Sequence, residues 1–127
     1  MSARILVVED NDRNLKLVRD VLRYAGFDVV EARTGEQGVE LARACPPDLV
    51  LMDIGLPGMD GSDALRELRA TPATAGIPVV AVTAFAMAQD RERTRTAGFD
   101  GYLTKPLDIR ALPDQVRSYL AREEPPG

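Results

Sequence analysis

The chain has 127 residues, of which 45% are hydrophobic and 5% aromatic, with a net charge of −4. That length favours one domain with an aliphatic core, and the acidic balance argues against nonspecific nucleic-acid binding. There is no histidine and one cysteine, Cys45, which removes Ser-His-Asp and Cys-His catalysis, imidazole metal sites and an intramolecular disulfide. Without imidazole, a metal would be held by oxygen, which suits a hard cation. A signal peptide and an apolar stretch approaching 18 residues are both missing, so the chain reads as cytoplasmic, with no membrane partner.

Ile5-Leu6-Val7-Val8 reads as a buried strand. Leu15, Val18, Leu22 and Ala25 then recur at helical spacing, up to Gly26. A short strand is expected over Asp28–Glu31, more polar and shorter than the first, as suits an edge. Thr34-Gly35-Glu36-Gln37 has the form of a capping box, so a helix starts near Gly35 and runs to about Ala44, before Pro46-Pro47. Leu49–Met52 is the third strand. Asp60 or Ser62 caps a helix carrying Ala64, Leu65 and Leu68. Val79–Val82 is the fourth strand, and a fourth helix is expected over 88–97, ending at Gly98. Gly101–Leu103 is a fifth strand, and a fifth helix carries Leu112, Val116, Tyr119 and Leu120.

Alternating strands and helices imply an α/β, flavodoxin-like (βα)5 doubly wound parallel sheet. With strand order 2-1-3-4-5, the switch point lies between strands 1 and 3, and ligands sit beyond the carboxyl ends there. The first strand ends in Glu9-Asp10-Asn11, the third in Asp53, the fourth in Thr83, the fifth in Thr104-Lys105-Pro106. Two carboxylates about 4 Å apart repel by roughly 4 kcal/mol at an effective dielectric near 20. A Mg²⁺ ion relieves that repulsion while taking one or two carboxylates and keeping waters. An aspartate beside Mg²⁺ and a lysine has the surroundings of a phosphoryl acceptor.

Four motifs in order, VVEDN at 7–11, LMDIGLPGMDG at 51–61, VVAVTAFAM at 79–87 and YLTKP at 102–106, resemble a response-regulator receiver domain of two-component signalling. The run Val82–Met87 is similar to DivK-like single-domain receivers and to receivers attached to hybrid kinases. The resemblance implies that Asp53 accepts a phosphoryl group from a sensor histidine kinase or a histidine phosphotransfer protein. It implies Mg²⁺ held by Asp10, Asp53 and the Gly55 carbonyl, with Glu9 acting mainly through water. It implies Lys105 paired with the phosphoryl group, Thr83 and Tyr102 as switch residues, and a cis Lys105–Pro106 bond.

The expected function is a phosphoacceptor switch acting on a downstream protein through the face of the fourth helix, fifth strand and fifth helix. Arg91, Arg93, Arg95, Arg110 and Arg117 fall in or near that face, and Ala84-Phe85-Ala86-Met87 is a candidate docking run. No direct DNA binding is expected, nor enzyme activity beyond the protein's own phosphorylation and dephosphorylation. A monomer or a weak phosphorylation-dependent dimer is expected. The receiver spans 1–122, and 123–127 is a flexible tail or the start of a linker. With Met1 just ahead of the first strand, a standalone receiver is expected, the alternatives being a receiver cut from a longer regulator or a pseudo-receiver. An aspartate-nucleophile hydrolase would carry a second Asp where Gly55 stands. A flavodoxin-like cofactor binder would not place Glu9-Asp10 against a phosphate.

Overall fold

The computed structural model describes residues 3–56, 58–59, 61–83 and 98–121. Five parallel strands form one sheet: β1 (Arg4–Val8), β2 (Asp28–Ala32), β3 (Leu49–Asp53), β4 (Val79–Thr83) and β5 (Gly101–Thr104), in the order β2-β1-β3-β4-β5. Four helices are described: α1 (Asp12–Tyr24), α2 (Gly35–Ala44), α3 (Gly61–Ala70) and the C-terminal α4 (Leu112–Ala121). The helix expected over 88–97, the docking run at 84–87, Arg91, Arg93, Arg95, the Asp60 cap and the tail at 123–127 lie outside the described residues.

The sheet divides the core into two layers, because successive side chains on a strand point to opposite faces. Leu6, Val8, Val50, Met52 and Ala81 pack beneath α2 and α3, against Val39, Ala42, Leu65 and Leu68. Ile5, Val7, Leu49, Leu51, Val80 and Val82 pack beneath α1 and α4, against Leu15, Leu22, Leu112 and Val116. All five residues of β3 and of β4 are buried, as strands covered on both faces must be. Each fully buried aliphatic side chain contributes roughly 1.5–3 kcal/mol. The edge strand β2 is more exposed. Its polarity marks the edge; its length does not, since β2 matches β1 at five residues and β5 is the shorter, at four.

Local signals set where the helices begin. Asn11 Oδ1 accepts the Asn14 N–H at 3.0 Å, capping α1. Thr34 Oγ1 accepts the Gln37 N–H at 3.0 Å, one half of a capping box. The returning bond from Gln37 goes to the Arg33 N–H, at 2.8 Å, rather than to Thr34. α3 starts at Gly61, so Ser62 lies within it and does not cap it. Gly26, after α1, and Gly98 have φ of 100° and 101°, left-handed backbone that suits glycine.

Strand register brings the carboxyl ends of the strands level with one another. Val8 pairs with Met52, Asp53 with Val82, and Thr83 with Thr104. The next residues outward, Glu9, Thr83 and Lys105, therefore surround Asp53 at the carboxyl edge.

Candidate functional site

Asp53 is the last residue of β3 and is only 5% exposed. Its two oxygens have different partners. Oδ1 accepts the Gly55 N–H at 3.0 Å, and Oδ2 accepts a bond from Lys105 Nζ at 2.9 Å. The same ammonium lies 3.4 Å from Glu9 Oε1. Lys105 is placed by its own N–H, which donates to the Thr83 carbonyl at 2.7 Å, and the Lys105–Pro106 bond is cis.

Glu9 is 6% exposed, and its Oε2 accepts the Asn11 N–H at 3.2 Å. Glu9, Asp10 and Asp53 each offer an oxygen lying within 4.8 Å of the others. These acids line a cleft of about 430 Å³ together with Asn14, Gly55, Thr83 and Lys105. Asp10 is exposed, while Glu9 and Asp53 are buried. Asn14 was not among the residues picked out by spacing. The available signal was its position in the first turn of α1, three residues past the Asn11 cap.

The electrostatics reflect the crowding of two acids in a buried place. Burial, and then the neighbouring Asp53 carboxylate, push Glu9 up to about 7. Burial also pushes Asp53 upward, but its bonds with Glu9, Lys105 and the Gly55 N–H outweigh that and hold it below the ordinary value. Burial works against the Lys105 ammonium, and the Asp53 and Glu9 carboxylates more than offset it, so Lys105 is raised. Of the two buried acids, Glu9 is thus the one that takes up a proton first, while Asp53 stays ionised beside Lys105. Three convergent carboxylates, one open to water, form the hard-oxygen donor set that a small divalent cation takes.

Thr83 is buried at the end of β4 and lines the cleft. Tyr102, beside Ala81 in register, is partly buried against the layer under α2 and α3. On α4, Arg117 pairs with Asp114 at 2.9 Å and stands 5.6 Å from the centre of the Phe27 ring. That places its guanidinium beside Phe27, in the turn between α1 and β2.

Among the described residues, no helix is long and apolar enough to cross a membrane. The family model for the response regulator receiver domain matches residues 5–117. The polar-differentiation response regulator DivK of Brucella ovis is 40% identical over 120 residues, which are 94% of this chain and 98% of that protein. A putative response regulator from Chloroflexus aurantiacus superposes with a TM-score of 0.90 at 31% identity, covering 96% of this chain and 100% of that one. The receiver domain of the sensor histidine kinase PA1611 from Pseudomonas aeruginosa, crystallised with a magnesium ion in its active-site cleft, superposes at 0.87 with 36% identity, covering 95% of this chain and 99% of that one. Sheet order, cleft and relatives agree: the chain belongs to the response regulator receiver domain family.

Proposed function

We propose that Asp53 is a phosphoryl acceptor, loaded from the phosphohistidine of a sensor histidine kinase or a histidine phosphotransfer protein, with Mg²⁺ as cofactor. The observation that carries this reading is the buried Asp53 carboxylate, 2.9 Å from Lys105 Nζ, within a group of three acids. An Asp53 carboxylate oxygen attacks phosphorus through a lone pair, and the phosphorus–nitrogen bond breaks with its electron pair going to the leaving imidazole. The Lys105 ammonium then turns to a phosphoryl oxygen. The Gly55 N–H keeps the carboxylate oriented. Asp10, Asp53 and the Gly55 carbonyl would hold Mg²⁺, with Glu9 acting mainly through water. When bound, the ion supplies charge neutralisation at the transferring group.

Thr83, one register position outside Asp53, supplies a hydroxyl to the loaded group. Tyr102 follows into the space that Thr83 vacates. This changes the face around β5 and α4, where a downstream protein partner binds. A phosphoryl group shifts such an equilibrium only through unequal affinity for the two states, and Thr83 and Lys105 are the groups that could supply the difference.

The test is incubation with acetyl phosphate and Mg²⁺, followed by intact-mass measurement. Wild type should gain the mass of one phosphoryl group and Asp53→Asn none, with both folded by circular dichroism. A folded wild type that gains no mass is a pseudo-receiver, binding partners without this chemistry.

A further inference from the structure

The turn after β3 carries Gly55, whose N–H holds one oxygen of Asp53 at 3.0 Å. Two close approaches restrain that turn. At its far end, a Cβ on Gly61 would lie 3.0 Å from Ile54 Cα and 3.1 Å from the Asp53 carbonyl oxygen. The Gly61 N–H also donates to the Ile54 carbonyl at 3.4 Å, closing the turn on itself. On its outer side the turn rests on the first turn of α2. A Cβ on buried Gly35 would lie 2.8 Å from the Met59 carbonyl oxygen and 3.2 Å from Met59 Cγ. The nearest atom is backbone, so rotating a side chain cannot relieve the contact. Gly58, with φ of 73°, approaches the same helical turn, its built Cβ 3.9 Å from Glu36 Oε2.

We infer that Gly35 is a positioning residue for Asp53: its missing side chain lets Met59 seat on α2, and this seat fixes the Gly55 backbone beside the acceptor carboxylate. The inference rests on the phosphoacceptor reading and deepens it. The first turn of α2 is itself pinned by the Thr34 cap and by the Gln37 bond to Arg33, so a methyl group at 35 displaces the turn more readily than the helix. The turn is closed at Gly61, and a displacement at Met59 therefore passes to Ile54 and Gly55.

Gly35→Ala is compared with Gly76→Ala, whose added Cβ meets nothing within 4 Å. In metal-free protein, Gly35→Ala should shift the Gly55 and Ile54 amide resonances while α4 resonances stay in place. The acetyl phosphate uptake rate should fall by up to about 10²-fold, the scale of loss when reacting groups are misplaced by about an ångström, and Mg²⁺ affinity by calorimetry should fall with it. Gly76→Ala should leave all three unchanged. Met59→Gly, which removes the side chain and also frees the seated backbone, should likewise disturb the Gly55 amide and slow uptake, and it decides the matter should Gly35→Ala not fold. Folded Gly35→Ala with wild-type Gly55 shifts and Mg²⁺ affinity would overturn the inference, as would an undisturbed Gly55 amide in Met59→Gly. Failure of wild type to take a phosphoryl group would count against the phosphoacceptor reading, while the amide shifts and Mg²⁺ affinities would still decide the role of Gly35.

Discussion

Lys105 Nζ stands 2.9 Å from Asp53 Oδ2, an ion pair joining the ends of two strands that do not touch, since β4 lies between them. Against the upward push of burial, the pair joins the Glu9 and Gly55 bonds in holding the Asp53 carboxyl below its ordinary value. It also places a cation where a transferred group would gain charge. Lys105→Met should therefore slow acetyl phosphate uptake by about 10²-fold, the usual loss on removing one preorganised charge-stabilising donor. Mg²⁺ binding should persist, because the acids remain. Slowed uptake with measurable Mg²⁺ affinity is the expected pattern; an unchanged rate would count against a role for the ammonium in transfer.

Glu9 makes metal-free stability depend on pH with a definite sign. Its carboxyl is raised from 4.5 to about 7 in the folded chain, so the native state binds that proton more tightly than the unfolded state does. The resulting stability is fully present below about pH 4.5 and is lost as pH rises through 7. Asp53 is shifted the other way, but its contribution changes only as pH falls below its ordinary range. Thermal midpoints in EDTA should thus decline between pH 5 and pH 8, and Glu9→Gln should flatten the slope. Because a cation displaces the proton, Mg²⁺ affinity should rise with pH over the same window. A flat affinity profile would mean that Glu9 is already ionised without metal.

Much of this arrangement was legible because strand ends carry it. The apolar runs at Ile5–Val8, Leu49–Met52 and Val79–Val82 are buried on both faces, so their period marks them as parallel strands. A site at a switch point then needs only the one or two residues after each of these runs and after Gly101–Leu103, which include Glu9, Asp10, Asp53, Thr83 and Lys105. The opposite shifts of Glu9 and Asp53 were not legible, since they depend on how deeply the pair is buried. Nor was the seat of Met59 on Gly35, a contact between backbones 24 residues apart that leaves no periodic trace. The Gln37 bond to Arg33 instead of Thr34 differs from the capping-box pattern by a single residue, a detail of loop geometry.

Asp53→Asn separates fold from chemistry. Removing the negative charge leaves Glu9 as the nearer partner of Lys105, and Glu9 loses the neighbour that helped to raise it. The Glu9 carboxyl should therefore titrate lower than about 7 in this variant, and the pH slope of metal-free stability should shrink. Carboxyl carbon resonances of glutamate followed from pH 4 to pH 8 report this directly. An unmoved Glu9 titration would show that burial alone sets its value.

Arg69 supplies a control far from the cleft, at the amino ends of β4 and β5. Its guanidinium donates to the carbonyls of Ala75, Ile77 and Gly98, at 3.0, 2.7 and 3.4 Å, and pairs with Asp100 at 2.8 Å. Asp100 in turn accepts the Val79 N–H at 2.7 Å. One side chain thereby joins the end of α3 to the starts of two strands. Arg69→Ala leaves several backbone carbonyls to find water and should cost about 1–3 kcal/mol by denaturant titration. The cost arises from lost hydrogen bonds more than from the partly exposed ion pair. Phosphoryl uptake per folded molecule should be unchanged, since Arg69 touches none of the residues that orient Asp53. A variant of full stability would mean that these carbonyls are satisfied without Arg69, and a slowed variant would mean that strain at the strand starts reaches Thr83 and Lys105.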